Sequence, residues 1–203
     1  MGRVPQGIAR ELLHDHQLIV DNVHAVLPNG LHVDAFLDKA ALVADHQVLM
    51  QIADLLREMF PTSTIRAVVS SERDAGALGA SFAARLGRHD HADVTSVQAT
   101  EQPDGSFRLP GSYPRGVPTL IVDDVVTTGN TISELIRTVQ NAGGTIVGAT
   151  TIWNRAGVTE DILGIPFRPL INIPHELWKP ESCPMCRNGI PIANDLRIAH
   201  TDA

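Results

Sequence analysis

Apolar positions recur at helical spacing in two amino-terminal stretches: Ile8, Leu12, Leu13 and Leu18 within residues 6–18, and Leu42, Val43, Leu49, Ile52, Leu55, Leu56 and Met59 within residues 42–59. Two helices are predicted. Between them, residues 20–39 carry the turn signal Pro28-Asn29-Gly30, which predicts a loop or short hairpin. Beyond Pro61 the pattern changes to short apolar runs alternating with helical stretches. Strands are predicted at 65–69, 94–97, 120–122 and 146–152, with helices at 75–86 and at 131–142, the latter stopped by Gly143-Gly144. This alternation predicts an α/β fold with a mostly parallel twisted sheet flanked by helices and joined by right-handed crossovers. Residues 102–118 are punctuated by Pro103, Gly105, Pro110, Gly111, Pro114, Gly116 and Pro118 and read as an exposed loop or irregular hairpin, long enough to serve as a lid or binding segment. The proline-rich segment after Arg155 reads as a packed tail.

Composition narrows the class. A chain of 203 residues, 43% hydrophobic and 19% charged, suits one folded domain spanning 1–203. A net charge of -7 argues against a nucleic-acid-wrapping surface, which needs clustered Lys and Arg. Any bound phosphate is therefore expected to be small and held by backbone N–H groups and a divalent cation. The first ten residues carry no apolar signal-type run and no stretch is long enough to span a bilayer, so a soluble cytoplasmic protein without membrane partners is expected. Cys183 and Cys186, the two cysteines, stand at C-x-x-C spacing and fit a reducing compartment. Two cysteines fall short of the four ligands of a structural zinc site, and His175 is the one local addition in sequence, so they are expected to pack or to tie down the tail. His89-Asp90-His91 reads as a solvated helix-to-strand turn.

The chemistry concentrates in residues 119–134. An apolar strand delivers Asp123 and Asp124 to its carboxyl end, the edge where open α/β sheets bind ligands. Thr127, Thr128, Gly129, Asn130 and Thr131 then supply consecutive N–H groups, hydroxyls and a flexible glycine at the start of a helix, which is a phosphate cradle. The spacing is not that of a nucleoside-triphosphate P-loop, and no lysine follows it.

This segment resembles the 5-phosphoribosyl-1-pyrophosphate signature of the type I phosphoribosyltransferases. The resemblance implies that family's single-domain fold, with a small hood from residues 1–40 and from the tail at 156–203, around a core sheet and helices at 61–155. It implies that Asp123 and Asp124 hold the ribose hydroxyls directly or through Mg²⁺, and that residues 127–131 bind the 5-phosphate. Among its branches the chain is most similar to the orotate phosphoribosyltransferases. Asn29-Gly30-Leu31-His32-Val33 resembles their amino-terminal Ser-Gly-Leu-His-Ser segment, with Asn29 and Val33 in place of the serines, which implicates Phe36 and Lys39 in the base pocket. Trp153-Asn154-Arg155 follows a strand where that branch has an arginine that meets the base carboxylate, making Arg155 the base-binding candidate; a guanidinium clamps a carboxylate with two parallel hydrogen bonds. The Cys183-Pro-Met-Cys186 ending is similar to one bacterial and archaeal group of these enzymes.

By the same resemblance Ser71, Glu72 and Arg73 form the pyrophosphate loop. The family's mobile loop normally brings Lys, Arg and His to the leaving group, whereas residues 99–118 offer only Arg108 and Arg115 and no lysine. Arg108, Arg73 and Asp124 are thus the catalytic candidates, in a reaction driven by charge placement. The implied activity is transfer of the phosphoribosyl group from phosphoribosyl pyrophosphate to a nucleobase, foremost orotate, by a homodimer. The alternatives are transfer to another heterocycle, or a non-catalytic regulator that senses phosphoribosyl pyrophosphate.

Overall fold

The computed structural model describes residues 5–27, 29–60, 64–73, 75–90, 93–111, 113 and 115–193. Of His89-Asp90-His91, His91 lies outside them, whereas His89 and Asp90 end a helix, Gly76–Asp90, rather than forming the expected turn.

Helix α1 (Pro5–Asp15) leads into an antiparallel hairpin of β1 (Ile19–Val26) and β2 (His32–Leu37), so the Pro-Asn-Gly signal marks a true hairpin. The long apolar stretch that follows is two helices, α2 (Lys39–Ala44) and α3 (His46–Glu58). Asp45 divides them: its carboxylate accepts the Val48 N–H at 3.0 Å and starts a new helix before the first has run its length. The core then alternates as β3 (Ala67–Ser71), α4 (Gly76–Asp90), β4 (Thr95–Glu101), a two-residue β5 (Phe107–Arg108), β6 (Pro118–Val126), α5 (Asn130–Asn141) and β7 (Thr145–Asn154).

The segment expected to be a tail instead supplies a further strand. After a short α6 (Glu160–Leu163), β8 (Phe167–Asn172) pairs in parallel with β7 at the sheet edge. Pro169 hides this strand from a sequence reading, yet an edge is where a sheet tolerates a missing N–H. A 3₁₀ turn (Pro180–Ser182) and α7 (Pro184–Arg187) complete the described chain.

The six strands run in the order β5-β4-β3-β6-β7-β8, all parallel except β5. From β3 the chain winds outward to β4 on one side, then returns to β6 on the other and winds outward again. The reversal places a switch point between β3 and β6, where a crevice opens beyond the carboxyl ends of the strands. Period-two alternation splits each strand between two cores. Val68, Leu120 and Val122 face the layer of α1, α3 and α4, whereas Val69, Ile121 and Ala149 face α5. Burial on both faces explains why these strands read as continuous apolar runs. A third, small cluster of Ala25, Val33 and Phe36 lies within the hairpin. No helix among the described residues is long and apolar enough to cross a membrane.

Candidate active site

Two carboxylates sit at the switch point. Pairing of β6 with β3 ends at Val122, while pairing with β7 continues to Val126. Asp123 and Asp124 therefore belong to the strand rather than following it, and they lie where one neighbour has already ended. They are 5% and 4% exposed. Consecutive strand residues point to opposite faces, so the pair is divided between the two sides of the sheet. Asp123 Oδ1 accepts the Asp124 N–H at 3.0 Å, and the Thr151 hydroxyl donates to the Asp124 carbonyl at 2.7 Å, which fixes the backbone here. Lys39 reaches Asp124: its Nζ is 2.8 Å from Oδ2. That lysine opens α2, whose start is set by Asp38 accepting the Ala41 N–H at 2.8 Å. Lys39 thus stands beside Asp124 at the carboxyl edge of the sheet.

The cradle follows as expected. Gly129 caps α5 with φ +81°, a left-handed conformation that favours glycine. Gly129 offers no capping side chain, only the Thr128 hydroxyl accepts the Asn130 N–H at 3.4 Å, and no acidic residue occupies the first turn, so the positive end of the helix faces the crevice without an internal anion. Thr127 and Thr131 are half-buried, and Thr128 and Asn130 exposed, around Gly129. From the adjacent β3, Ser71 is buried with its Oγ accepting the Ala75 N–H at 3.3 Å. Glu72 accepts a hydrogen bond from the Thr100 hydroxyl at 2.9 Å, and Arg73 is exposed at the rim.

Arg155 is the most unusual residue of the site. It stands just past β7, is 2% exposed, and lies 4.5 Å over the Trp153 ring. Burial pushes its guanidinium down to about 10, against the pull of Asp34 and Asp124. Its buried Nε and Nη1 have no hydrogen-bond partner among the described residues. The side chain is held from behind. Asn154 clamps the following turn through Val158, donating to its carbonyl at 2.8 Å and accepting its N–H at 3.0 Å, and Trp153 Nε1 donates to Ile173 O at 2.9 Å. Asp34 and His175 also line this side, 3.1 Å apart, with the His175 N–H donating to Arg155 O at 2.8 Å. Neither was assigned to this side from sequence, because Asp34 alternates with hydrophobic hairpin positions and His175, weighed only beside the cysteines, lies in irregular chain.

Three groups stand in settings that their sequence positions did not indicate. Phe36 is buried with Ala25 and Val33 in the hairpin cluster. Arg108 lies on β5 at the far sheet edge, separated from β6 by β4 and β3, which at strand spacing is about 14 Å within one chain. The segment carrying it is no bare loop: β5 pairs with β4, Thr138 Oγ1 donates to Phe107 O at 3.3 Å, and the Tyr113 hydroxyl bonds that of Thr119. Lastly, Cys183 and Cys186 meet His24 and His32 of the hairpin, whereas His175 is engaged with Asp34.

Residues 39–181 match the family model described as phosphoribosyl transferase domain. The chain belongs to the phosphoribosyltransferase family. Within that family it is 28% identical over 173 residues to the orotate phosphoribosyltransferase of Carboxydothermus hydrogenoformans, covering 83% of this chain and 86% of that protein. It is 31% identical over 171 residues to the enzyme of the same name from Caldicellulosiruptor bescii, with the same two coverages. The fold is similar to that of the orotate phosphoribosyltransferase from Aeropyrum pernix, with a TM-score of 0.64 over 81% of this chain and 93% of that one, at 21% identity. It is also similar to the Mycobacterium tuberculosis enzyme in complex with 5-phospho-alpha-D-ribosyl 1-diphosphate, with a TM-score of 0.60 over 85% of this chain and 90% of that one, at 21% identity. Phosphoribosyl transfer is accordingly the class of chemistry performed at this phosphoribosyltransferase site.

Proposed function

We propose that the protein transfers the 5-phosphoribosyl group of phosphoribosyl pyrophosphate to orotate, releasing pyrophosphate. The observation that carries the acceptor is Arg155, a buried cation with two N–H-bearing nitrogens lacking partners. A carboxylate set edge-on to that guanidinium, in its plane, offsets the buried charge through charge-assisted hydrogen bonds, whereas a neutral base brings no charge to offset it. The relatives named orotate phosphoribosyltransferase support the same reading.

In this proposal the amino-terminal end of α5 binds the 5-phosphate, Asp123 and Asp124 orient the ribose hydroxyls, and Arg73 meets the departing pyrophosphate. A ring nitrogen of the base displaces pyrophosphate at C1 through a cation-like transition state, so catalysis is the placement of fixed charge rather than attack by a side chain. Asp123 and Asp124 offer the hard oxygen donors that suit Mg²⁺, too few for an all-protein cage, so the ion would be held mainly by substrate oxygens. Bound there, it would supply neutralisation of the leaving charge. Lys39, beside Asp124, keeps that carboxylate from facing the ribose as an uncompensated charge. A second copy of the chain belongs to the proposal, as the likeness to the orotate phosphoribosyltransferases implies.

The changed positions of the amino-terminal segment do not favour another base. Val33 is fully buried in the hairpin cluster, and Asn29 accepts the Leu31 N–H at 3.1 Å within its own turn, so both serve local structure. The experiment is pyrophosphate release from phosphoribosyl pyrophosphate and Mg²⁺ with orotate, uracil, hypoxanthine and adenine. Turnover with orotate alone is expected. Turnover with a purine instead overturns the acceptor, and ligand binding without turnover on any base makes the protein a sensor.

A further inference from the structure

We propose that His24, His32, Cys183 and Cys186 form a structural Zn²⁺ site that clips the amino-terminal hairpin to the carboxyl-terminal segment. One ligand-capable atom from each residue lies within 4.8 Å of all the others. The hairpin contributes the imidazoles, with His24 near the end of β1 and His32 opening β2. Cys183 and Cys186 bracket the first turn of α7, and C-x-x-C spacing turns both sulfurs to one side of it.

The separations suit tetrahedral coordination. Cys183 Sγ is 3.7 Å and Cys186 Sγ 3.6 Å from His24 Nε2, and Cys186 Sγ is 3.4 Å from His32 Nδ1. Bonds of about 2.0–2.1 Å to nitrogen and 2.3 Å to sulfur, at tetrahedral angles, require nitrogen–sulfur edges of about 3.5 Å and a nitrogen–nitrogen edge of about 3.3 Å. The two imidazole nitrogens are 2.8 Å apart, so a shift of about half an ångström by one ring completes the geometry.

The hydrogen bonding already selects the required tautomer of His24, whereas the His32 proton must move from Nδ1 to Nε2 for that ring to ligate. His24 Nδ1 lies 2.7 Å from Ile190 O, and only an N–H can face a carbonyl at that distance. Its proton is therefore on Nδ1, which leaves the Nε2 lone pair turned into the cluster, as in metal sites where the second ring nitrogen is tied to a carbonyl. Without metal, His32 Nδ1–H donates to that lone pair. This accounts for the imidazole pair but not for two thiols converging on the same nitrogens.

Charge and burial agree. Cys183 is fully buried, and His24 and His32 are 3% and 5% exposed, whereas Cys186 is exposed and gives the ion a way in. Two thiolates, two neutral imidazoles and a dication sum to zero, so the closed site buries no net charge. Two nitrogens with two sulfurs in this geometry select Zn²⁺ over the oxygen-seeking Mg²⁺. All four positions come from the protein, which makes the site structural rather than catalytic.

The clip reinforces contacts that are otherwise thin. His32 and Trp178 exchange backbone hydrogen bonds at 2.8 and 3.0 Å, and Ala193 N donates to His24 O at 2.8 Å. Two residues beyond His32, Asp34 bonds His175 and faces Arg155. Zinc would thus fix the hairpin against the acceptor side of the pocket.

The test uses the full chain, expressed in zinc-supplemented medium and dialysed against metal-free buffer. About one zinc per chain is expected. Stripped protein titrated with Co²⁺ is expected to develop intense visible bands of tetrahedral cobalt and a thiolate charge-transfer band, saturating at about one equivalent. Stripping should lower the melting temperature, and zinc should restore it. Cys183→Ser and His24→Ala should abolish the charge-transfer band or shift it, respectively, and lower bound zinc below about a tenth of an equivalent. Because those variants alter a buried site, the cobalt titration of the unaltered chain stands independently of their folding. Wild type with less than about a tenth of an equivalent of zinc and no cobalt bands overturns the proposal. So do bands that survive Cys183→Ser, or a metal-free Cys183–Cys186 disulfide in the intact mass of the zinc-grown protein.

Discussion

Replacing Arg155 by Met should make the protein more stable and far less active. The guanidinium is 2% exposed, and its pKa falls to about 10 because burial disfavours the cation. At 1.36 kcal/mol per pKa unit, that fall from the ordinary arginine value corresponds to about 3 kcal/mol of destabilisation in the unliganded fold. Between pH about 10 and the ordinary arginine pKa the unfolded chain holds the extra proton, so stability rises with pH across that window. Below it both states are protonated and the full penalty is present, including at neutral pH. Met keeps most of the packing volume but loses the stacking over Trp153, worth about 1 kcal/mol. The net expectation is a gain of about 2 kcal/mol, or about 4–8 °C in melting temperature for a chain of this size. Activity moves the other way. Losing a charge-assisted contact to a buried carboxylate costs about 2–4 kcal/mol, which lowers kcat/KM for orotate by about 30- to 1000-fold. Calorimetry and steady-state kinetics on the same preparation check both halves. A variant destabilised by about 3 kcal/mol would refute the reasoning, since it would mean that Arg155 is already satisfied within the fold and is not poised for a ligand.

Three further substitutions test the remaining parts of the site. Asp124→Asn leaves Lys39 opposite a neutral amide and should lower kcat/KM about 10- to 100-fold, with a weakened dependence on Mg²⁺ in a titration of the metal. Gly129→Ala forces a side chain into φ +81° and places a Cβ 3.4 Å from Leu163, so it should cost about 1–2 kcal/mol in urea unfolding and raise KM for phosphoribosyl pyrophosphate more than it lowers kcat. Gly79→Ala sets a Cβ 2.5 Å from the Ser70 hydroxyl oxygen, where α4 lies tight against β3, and should destabilise by about 1–3 kcal/mol in the same assay while leaving the KM values unchanged.

The donor side of the site was legible because its determinants are local. Strand, carboxylates, cradle and helix start occupy consecutive residues, and the strand was read too short at both ends, since Pro118 and the polar Asp123 and Asp124 mask a strand that runs from Pro118 to Val126. The acceptor side was legible through Arg155 and, by resemblance, Phe36 and Lys39. Its surroundings come from distant chain: Asp34 from the hairpin, Lys39 from α2 and His175 from the segment after β8. The same distance concealed the Cys and His cluster, because His24 and Cys183 are 159 positions apart and nothing in their spacing links them. Elsewhere, strong local signals competed with the periodic ones. Asp45 split one apolar stretch into two helices, and Pro169 disguised an edge strand.

The central claim is that Arg155 selects its acceptor by a carboxylate, and uracil, which is orotate without that group, tests it directly. A site built around an unpaired buried cation should reject the analogue strongly, so kcat/KM for orotate should exceed that for uracil by at least about 10³-fold in the unaltered protein. Rates for the two bases within about tenfold of each other would contradict the account.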